Sequence, residues 1–166
     1  GKAVFFHCDV SDPDQCDAVV AECVAQFGSI DILVNNAGIF PMSPVLEMTP
    51  DFFDRMIAIN LRGTAFCSKA AGRRMVEQGG GGRIVNISSI DSLHPSMVGL
   101  AAYDASKAGL RNITRNLARA HAKFFGRMPR LTFSESSRLR RLFPPAPPAG
   151  GSAPGDGPRP ERLREG

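Results

Sequence analysis

The chain has 166 residues, of which 43% are hydrophobic and 22% are charged. This length and composition suit one globular domain with a sizeable core. No apolar run approaches the length of a membrane-spanning helix and no secretion signal is recognisable, so we expect a cytoplasmic protein without a membrane partner. The net charge of +4 arises after about position 122, where nine basic residues face four acidic ones. The basic character therefore belongs to a tail and not to the folded body.

The four cysteines lack the paired spacing of a zinc site, and the three histidines are scattered. They are Cys8, Cys16, Cys23 and Cys67. We expect free thiols that act as small core residues in a reducing compartment, and we predict no metal site.

The first elements are predicted from apolar runs and helix caps. Residues 2–10 (KAVFFHCDV) are predicted to form a buried strand, and a helix follows from an Asp12 cap with Pro13 in its first turn. Gly28 ends this helix, and residues 30–38 form a second buried strand. The pattern thus begins as strand, helix, strand.

A second cap, Thr49 followed by Pro50, opens a long helical pattern over residues 51–77. A third strand over 83–89 and a helix over 100–122 follow. The predicted buried side of the long helix comprises Phe53, Met56, Ile57, Leu61, Ala65 and Ala70. Alternating strands and helices with few hairpin signals indicate an α/β fold with a parallel sheet.

Beyond Lys123 the periodic pattern ends. We divide the chain into a folded domain over 1–122 and a basic tail over 123–166, rich in Pro, Gly and Arg. No strand is predicted in this tail, and residues 134–166 are expected to be disordered. An arginine-rich tail could bind nucleic acid or another acidic surface, but it lacks interleaved aromatic residues, so we do not expect a nucleic-acid partner.

Polar and small residues follow each predicted strand, where open parallel sheets bind their ligands. Asp9 and Val10 end the first strand, residues 35–38 end the second, and Ser88 and Ser89 end the third. Each group alone is typical of an ordinary turn. Their recurrence at three equivalent positions favours a binding site.

Tyr103 is the single tyrosine of the chain, and Lys107 follows one helical turn later. A phenol is a weak base at neutral pH, so a useful proton acceptor needs positive charge nearby. Lys107 can supply that charge, which permits acid–base chemistry. Such pairs also occur by chance on many helices, so the spacing alone does not decide between a site and a surface pair.

Four motifs, which follow one another in a fixed order, link this pair to a known protein family. They are DILVNNAG, INLRG with Asn60, GRIVNISS and YDASK, spread over roughly residues 3–122. Together they resemble the short-chain dehydrogenase/reductase family. The resemblance implies a Rossmann-like three-layer α/β fold with a parallel sheet, incomplete at both ends.

The resemblance also implies catalytic roles for four residues. Tyr103 would exchange a proton with the substrate oxygen, and Lys107 would favour the ionised phenol and bind the nicotinamide ribose. Ser89 would hold the substrate oxygen, and Asn60 would keep a water molecule in the proton relay. Ser89 stands 14 residues before Tyr103, one more than in most members. Its assignment therefore competes with Ser88, Ser92 and Ser96.

For the cofactor, the resemblance implies NAD or NADP, with Asn36, Ala37 and Gly38 on the adenosine side and Asp9 and Val10 near the adenine. Tyr103 and Lys107 would also contact it. The implied reaction interconverts a carbonyl and a secondary alcohol of a small-molecule substrate, either 3-oxoacyl-like or sugar/polyol-like. His94 could touch that substrate. A homo-oligomer through the helices over 51–77 and 100–122 is a further expectation.

Two family features have no counterpart in the sequence. One is the strand–helix–strand unit with the glycine-rich turn that grips the pyrophosphate. The other is the strand expected after the helix of Tyr103. From Arg127 onward there are eight arginines and no lysine. An alternative is therefore a catalytically inactive, truncated or frame-shifted fragment of such an enzyme.

Overall fold

The computed structural model describes residues 1–124 and 130–134, with side chains up to residue 119. Three parallel strands form a sheet in the order β1 (Ile32–Asn35), β2 (Arg83–Ile87) and β3 (Arg130–Ser134). The main helices are α1 (Pro13–Phe27), α2 (Pro50–Ile57), α3 (Thr64–Glu77) and α4 (Ala101–Phe124). The predicted Rossmann-like α/β fold with a parallel sheet is confirmed.

Both predicted helix caps are confirmed. The Asp12 side chain accepts a hydrogen bond from the Asp14 amide, with Pro13 in the first turn of α1. The Thr49 hydroxyl accepts one from the Phe52 amide at 3.2 Å. Gly28 ends α1 in the left-handed conformation at φ 84°, which a residue without a side chain adopts at little cost.

The core lies between the sheet and the packed pair α1 and α3. Its fully buried members include Ala71, Met75 and Ile84, joined by Val20 and Ile30. All four cysteines are free thiols; Cys16 and Cys67 are buried, whereas Cys8 and Cys23 are partly buried. This core fixes the long helix relative to β1 and β2.

The helix predicted over 51–77 is one continuous rod with a π-helical turn over residues 58–63, between α2 and α3. The prediction of a buried Phe53 was wrong, because this side chain is 39% exposed. The surface helix α2 packs against α4 through a narrow stripe and buries only Met56 fully. Phe53 lies outside that stripe.

The predicted buried strand over residues 2–10 was wrong, because this segment is irregular and Phe5 is 90% exposed. The physical reason lies in the order 3-2-1-4 of a doubly wound sheet. Residues 2–10 correspond to the third strand of this order and β1 to the fourth, so two other strands would have to lie between them in the sheet. The described residues provide neither of these two strands. Without a hydrogen-bonding neighbour, apolar residues cannot form a strand.

The strand predicted over residues 30–38 exists as β1, but its complete burial was wrong. Ile32 is 58% and Val34 is 54% exposed, whereas Asn35 on the opposite face is buried. Within the described residues, β1 pairs with β2 alone and lies at the edge of the sheet. One face and one edge of this strand are therefore open.

The prediction of no strand beyond Lys123 was wrong, because β3 pairs with β2 in parallel, with Leu131 opposite Ile84 and Phe133 opposite Asn86. Leu131 and Phe133 alternate with polar residues in RLTFS, which is the period of a strand. Ser134, the first residue of the segment expected to be disordered, is the last residue of β3. Residues 135–166 lie outside the described part of the chain.

Candidate active site

Asn60 is fully buried in the π-helical turn, where it holds the segment that follows β1. Its amide oxygen accepts from the Ile39 amide, and its nitrogen donates to the Ile39 carbonyl, both at 2.8 Å. The same nitrogen lies 3.1 Å from the Ser106 hydroxyl of α4. One side chain thus joins the long helix, the loop after β1 and α4. π-Helical turns occur frequently at functional sites.

Lys107 is buried on α4, and its ammonium donates to the Ile87 carbonyl at the end of β2, at 3.0 Å. Burial lowers the pKa of this amine, because a charged group loses its hydration. The Nζ atom also lies 5.6 Å from the centre of the Tyr103 ring. The predicted Tyr103–Lys107 pair therefore exists, with its positive charge directed towards the end of the sheet.

Tyr103 is partly exposed, in contrast to Lys107. Its ring meets Phe40 edge to face at a centroid distance of 6.1 Å. Its backbone carbonyl accepts from the Ser106 hydroxyl at 2.7 Å, and that hydroxyl also contacts Asn60. The phenol is thus open to a ligand while its backbone is tied to the Asn60 network.

Gly38 lies beside this cluster. A β-carbon at this position would lie 3.4 Å from the amide oxygen of Asn60 and 3.6 Å from Nζ of Lys107. Asn36 and Ala37 precede it and are exposed. The segment forms a low wall next to the ammonium, without a bulky side chain.

Ser89 begins a short 3₁₀ helix over residues 90–92 that packs against α4. Its hydroxyl donates to an Asp91 carboxylate oxygen at 2.6 Å and accepts from the Asp91 amide at 3.3 Å. Burial alone would raise the pKa of Asp91, but hydrogen bonds from Ser89 and Ser96 outweigh it and lower the pKa. The alternatives Ser88 and Ser92 are buried, whereas Ser89 is partly exposed.

Asp104 follows Tyr103 on α4 and faces the same 3₁₀ helix. Burial raises the pKa of its carboxyl, and the nearby charge of Asp91 adds to the effect. Neither acid was singled out from the sequence, because an Asp in a loop or in the first turn of a helix is typical of an ordinary cap.

Asp9 and Val10 have no contact with Tyr103 or Lys107 among the described hydrogen bonds. The Asp9 carboxylate accepts from the Ser11 amide at 2.9 Å and from its hydroxyl at 2.8 Å, and these bonds lower the pKa of Asp9. A β-carbon on Gly63 would lie 2.7 Å from the Val10 carbonyl oxygen. Val10 therefore packs directly against the turn that carries Asn60.

A buried polar chain crosses the sheet behind the site and was not predicted. Asn35 donates to Asn86 at 2.8 Å and to Ser68 at 3.0 Å, and Asn86 donates to Thr114 at 2.8 Å. Thr114 donates in turn to the Leu110 carbonyl at 2.7 Å. The signal was present as asparagines within apolar strands, and such buried amides need partners.

The residues around Lys107 suit a nicotinamide cofactor. An ammonium has three donors, and one described bond to Ile87 leaves two for the hydroxyls of a ribose. Gly38 keeps the neighbouring wall free of a side chain that would block a flat ring. In the described residues, no set of three metal-ligating side chains comes together, and no helix is long and apolar enough to cross a membrane.

The family model for short chain dehydrogenase matches residues 1–124. The chain belongs to the short-chain dehydrogenase family. This is a family of oxidoreductases that use NAD or NADP.

Two curated relatives show how much of a family member the chain covers. A sorbitol dehydrogenase of Cereibacter sphaeroides is 41% identical over 109 residues, which are 65% of this chain and 42% of that protein. An L-rhamnose 1-dehydrogenase (NAD(P)(+)) of Azotobacter vinelandii is 42% identical over 121 residues, which are 71% of this chain and 46% of the relative. The chain thus spans less than half the length of either protein.

Solved structures that are similar to this chain belong to the same family. A metagenomic short-chain oxidoreductase in complex with NADP is similar at a TM-score of 0.73 and 31% identity, over 81% of this chain and 59% of the other. A short-chain type dehydrogenase/reductase from Mycobacterium marinum is similar at a TM-score of 0.71 and 34% identity, over 74% and 50% of the two chains.

Proposed function

We propose that this chain carries the proton-transfer site of an NAD(P)-dependent oxidoreductase that interconverts a carbonyl and a secondary alcohol. The observation that supports this best is the convergence of three groups. The partly exposed ring of Tyr103, the buried ammonium of Lys107 and the wall at Gly38 lie together beyond the end of β2.

Each residue has a separate task in this proposal. The Tyr103 hydroxyl gives a proton to the carbonyl oxygen during reduction and takes it from the alcohol during oxidation. The positive charge of Lys107 stabilises the phenolate, and its two remaining N–H groups hold the ribose of the cofactor. Asn60 holds Ile39, and through it the loop after β1, so that the wall at Gly38 keeps its place.

When bound, the nicotinamide supplies or accepts the hydride. Asn36, Ala37 and Gly38 are proposed to line the adenosine side of the cofactor, with Asp9 and Val10 near its adenine. Ser89 is proposed to hold the substrate oxygen, for which its hydroxyl must turn from Asp91 towards the substrate. A homo-oligomer through the long helix and α4 remains a proposal as well.

Turnover in the direction of carbonyl reduction tests this function. Purified chain is assayed with NADH and NADPH against a panel of 3-oxoacyl, sugar and simple ketones, next to the variant Tyr103→Phe. Loss of the phenol is expected to lower kcat/KM at least about a hundredfold. Equal rates in both proteins would show that Tyr103 does not transfer the proton.

The chain covers less than half the length of these two curated relatives. This favours a second candidate, an inactive fragment of such an enzyme. In that case neither cofactor would support turnover of any ketone. Adding a purified family member of full length then tests whether the chain still assembles with a relative.

A further inference from the structure

The segment over residues 39–48 and the loop over residues 93–99 meet beside Tyr103. The Ser43 amide donates to the Gly99 carbonyl at 2.9 Å, and Gly99 adopts a left-handed conformation at φ 90°. A β-carbon on Gly99 would lie 3.5 Å from the β-carbon of Met42. The two segments therefore form one joined structure next to the ring of Tyr103.

The exposed side chains of this structure are mostly apolar. We call the following six the apolar rim: Phe40, Met42, Val45, Leu46, Met97 and Val98. Leu46 is 100% and Val98 is 88% exposed, and Phe40 is 71% exposed even though its ring touches Tyr103. Clustered exposed apolar side chains are typical of an interaction surface or a ligand-binding groove.

Four polar side chains lie in the same two segments as the rim. They are Ser43, Glu47, His94 and Ser96. The Ser43 hydroxyl faces the neighbouring Pro44 carbonyl at 3.5 Å, whereas Glu47, His94 and Ser96 are exposed. A site for a polyol needs several converging donors and acceptors, because each hydroxyl that enters must regain a lost hydrogen bond with water.

We propose that the rim binds the apolar substituent of the substrate, so that the site takes ketones and secondary alcohols with a hydrocarbon or aromatic group in preference to sugars or polyols. This inference rests on the proposed function, because it assigns the substrate class of that same site. Phe40 connects the rim to the proposed catalytic group, because it belongs to the rim and its ring contacts the ring of Tyr103.

The single tyrosine allows a test that does not depend on turnover. Chain labelled with ¹³C in its tyrosine ring gives NMR signals from Tyr103 alone. The signals are followed during titration with acetophenone and, separately, with sorbitol, with and without excess NADP⁺. We expect saturable shifts with acetophenone and none with sorbitol, and a dissociation constant about tenfold higher in Phe40→Ser. Phe27→Ser, an exposed phenylalanine on α1, is the matched control and should bind as the wild type does.

The outcomes separate this inference from the proposed function. Shifts with acetophenone but no oxidation of its alcohol, 1-phenylethanol, would support the apolar class and contradict the function. Turnover or binding of sorbitol without a response to acetophenone would overturn the apolar class, as would the absence of any response to either probe. Signals that change on dilution of the protein alone would assign the rim to a second copy of the chain and overturn the inference as well.

Discussion

Asn60 is the residue on which the geometry of the site depends most. It satisfies both the amide and the carbonyl of Ile39, and it contacts the Ser106 hydroxyl of α4. A shorter side chain would leave the amide and the carbonyl of Ile39 without their partner inside the protein. The loop after β1 and α4 would then lose the link that brings Gly38 next to Lys107.

Asn60→Ala is expected to lower the free energy of unfolding by about 2–4 kcal/mol, because two backbone groups of Ile39 lose their hydrogen bonds. Urea denaturation measures the change. The control is Asn112→Ala, an exposed asparagine on α4, for which the change should stay within about 0.5 kcal/mol. Equal effects of the two substitutions would contradict the role of Asn60 as a clamp.

Lys107 is expected to make stability depend on pH in the alkaline range. Burial lowers its pKa below the ordinary value of 10.5, so folding disfavours the ammonium. The resulting penalty is complete below the lowered pKa and disappears as the pH rises from the lowered pKa towards 10.5. Relative to Lys107→Met, the wild type should therefore gain stability over this interval. Urea unfolding of both proteins measures the difference, and a constant or falling difference would refute this origin of the shift.

At the level of single residues, the sequence motifs predicted the members of the site better than their contacts. Tyr103 and Lys107 could be paired because one helical turn separates them. The bond from Ser89 to Asp91 and the bridge through Ser106 were missed, since each depends on the path of a loop or on the packing of two helices. Asp9 and Val10 remain predictions, because Val10 packs against Gly63 and the Asp9 carboxylate is bonded to Ser11, apart from Lys107.

Among the elements, the long helix matters most, because its π-helical turn carries both Asn60 and Gly63. Gly63 approaches Val10, whereas Asn60 faces Ile39 and α4. The helix itself could be predicted from the Thr49 cap and the apolar pattern. The π-helical turn could not, because one additional residue in a turn leaves no periodic signal in a sequence.

Two glycines of this helix should respond oppositely to alanine. In Gly63→Ala the new methyl group would lie 2.7 Å from the Val10 carbonyl oxygen, and we expect a loss of about 1–3 kcal/mol. In Gly72→Ala the new methyl group would meet the Ile84 δ-carbon at an ordinary 3.9 Å, and the helix should gain about 0.5–1 kcal/mol. Thermal unfolding of both variants checks the signs, and a stabilised Gly63→Ala would contradict the close packing against Val10.

For the whole molecule, the open side of β1 is the main departure from the predicted fold. Residues 2–10 and β1 have the composition of buried strands, and both expose apolar side chains. Composition predicts that a segment can be buried, but burial needs a neighbour, which a local pattern does not reveal. β3 shows the converse, since a short alternating segment becomes a strand beside β2.

The open side of β1 should cause self-association. Val34→Lys places a charge on its exposed face and is expected to shift sedimentation velocity profiles towards the monomer. Phe27→Lys adds the same charge to α1, away from the sheet, and should leave the profile unchanged. Association that persists in Val34→Lys would place the contact elsewhere, for example on the long helix and α4.

The most direct measurement is the titration of the purified chain with NADH and NADPH, followed by nicotinamide fluorescence. If Lys107 and the wall at Gly38 form a cofactor site, at least one nucleotide binds saturably, and Lys107→Met weakens its binding at least about tenfold through the loss of two hydrogen bonds to the ribose. Asn112→Ala should bind as the wild type does. A chain that shows no saturable signal with either nucleotide, or one whose affinity is the same in Lys107→Met, would contradict the proposed site.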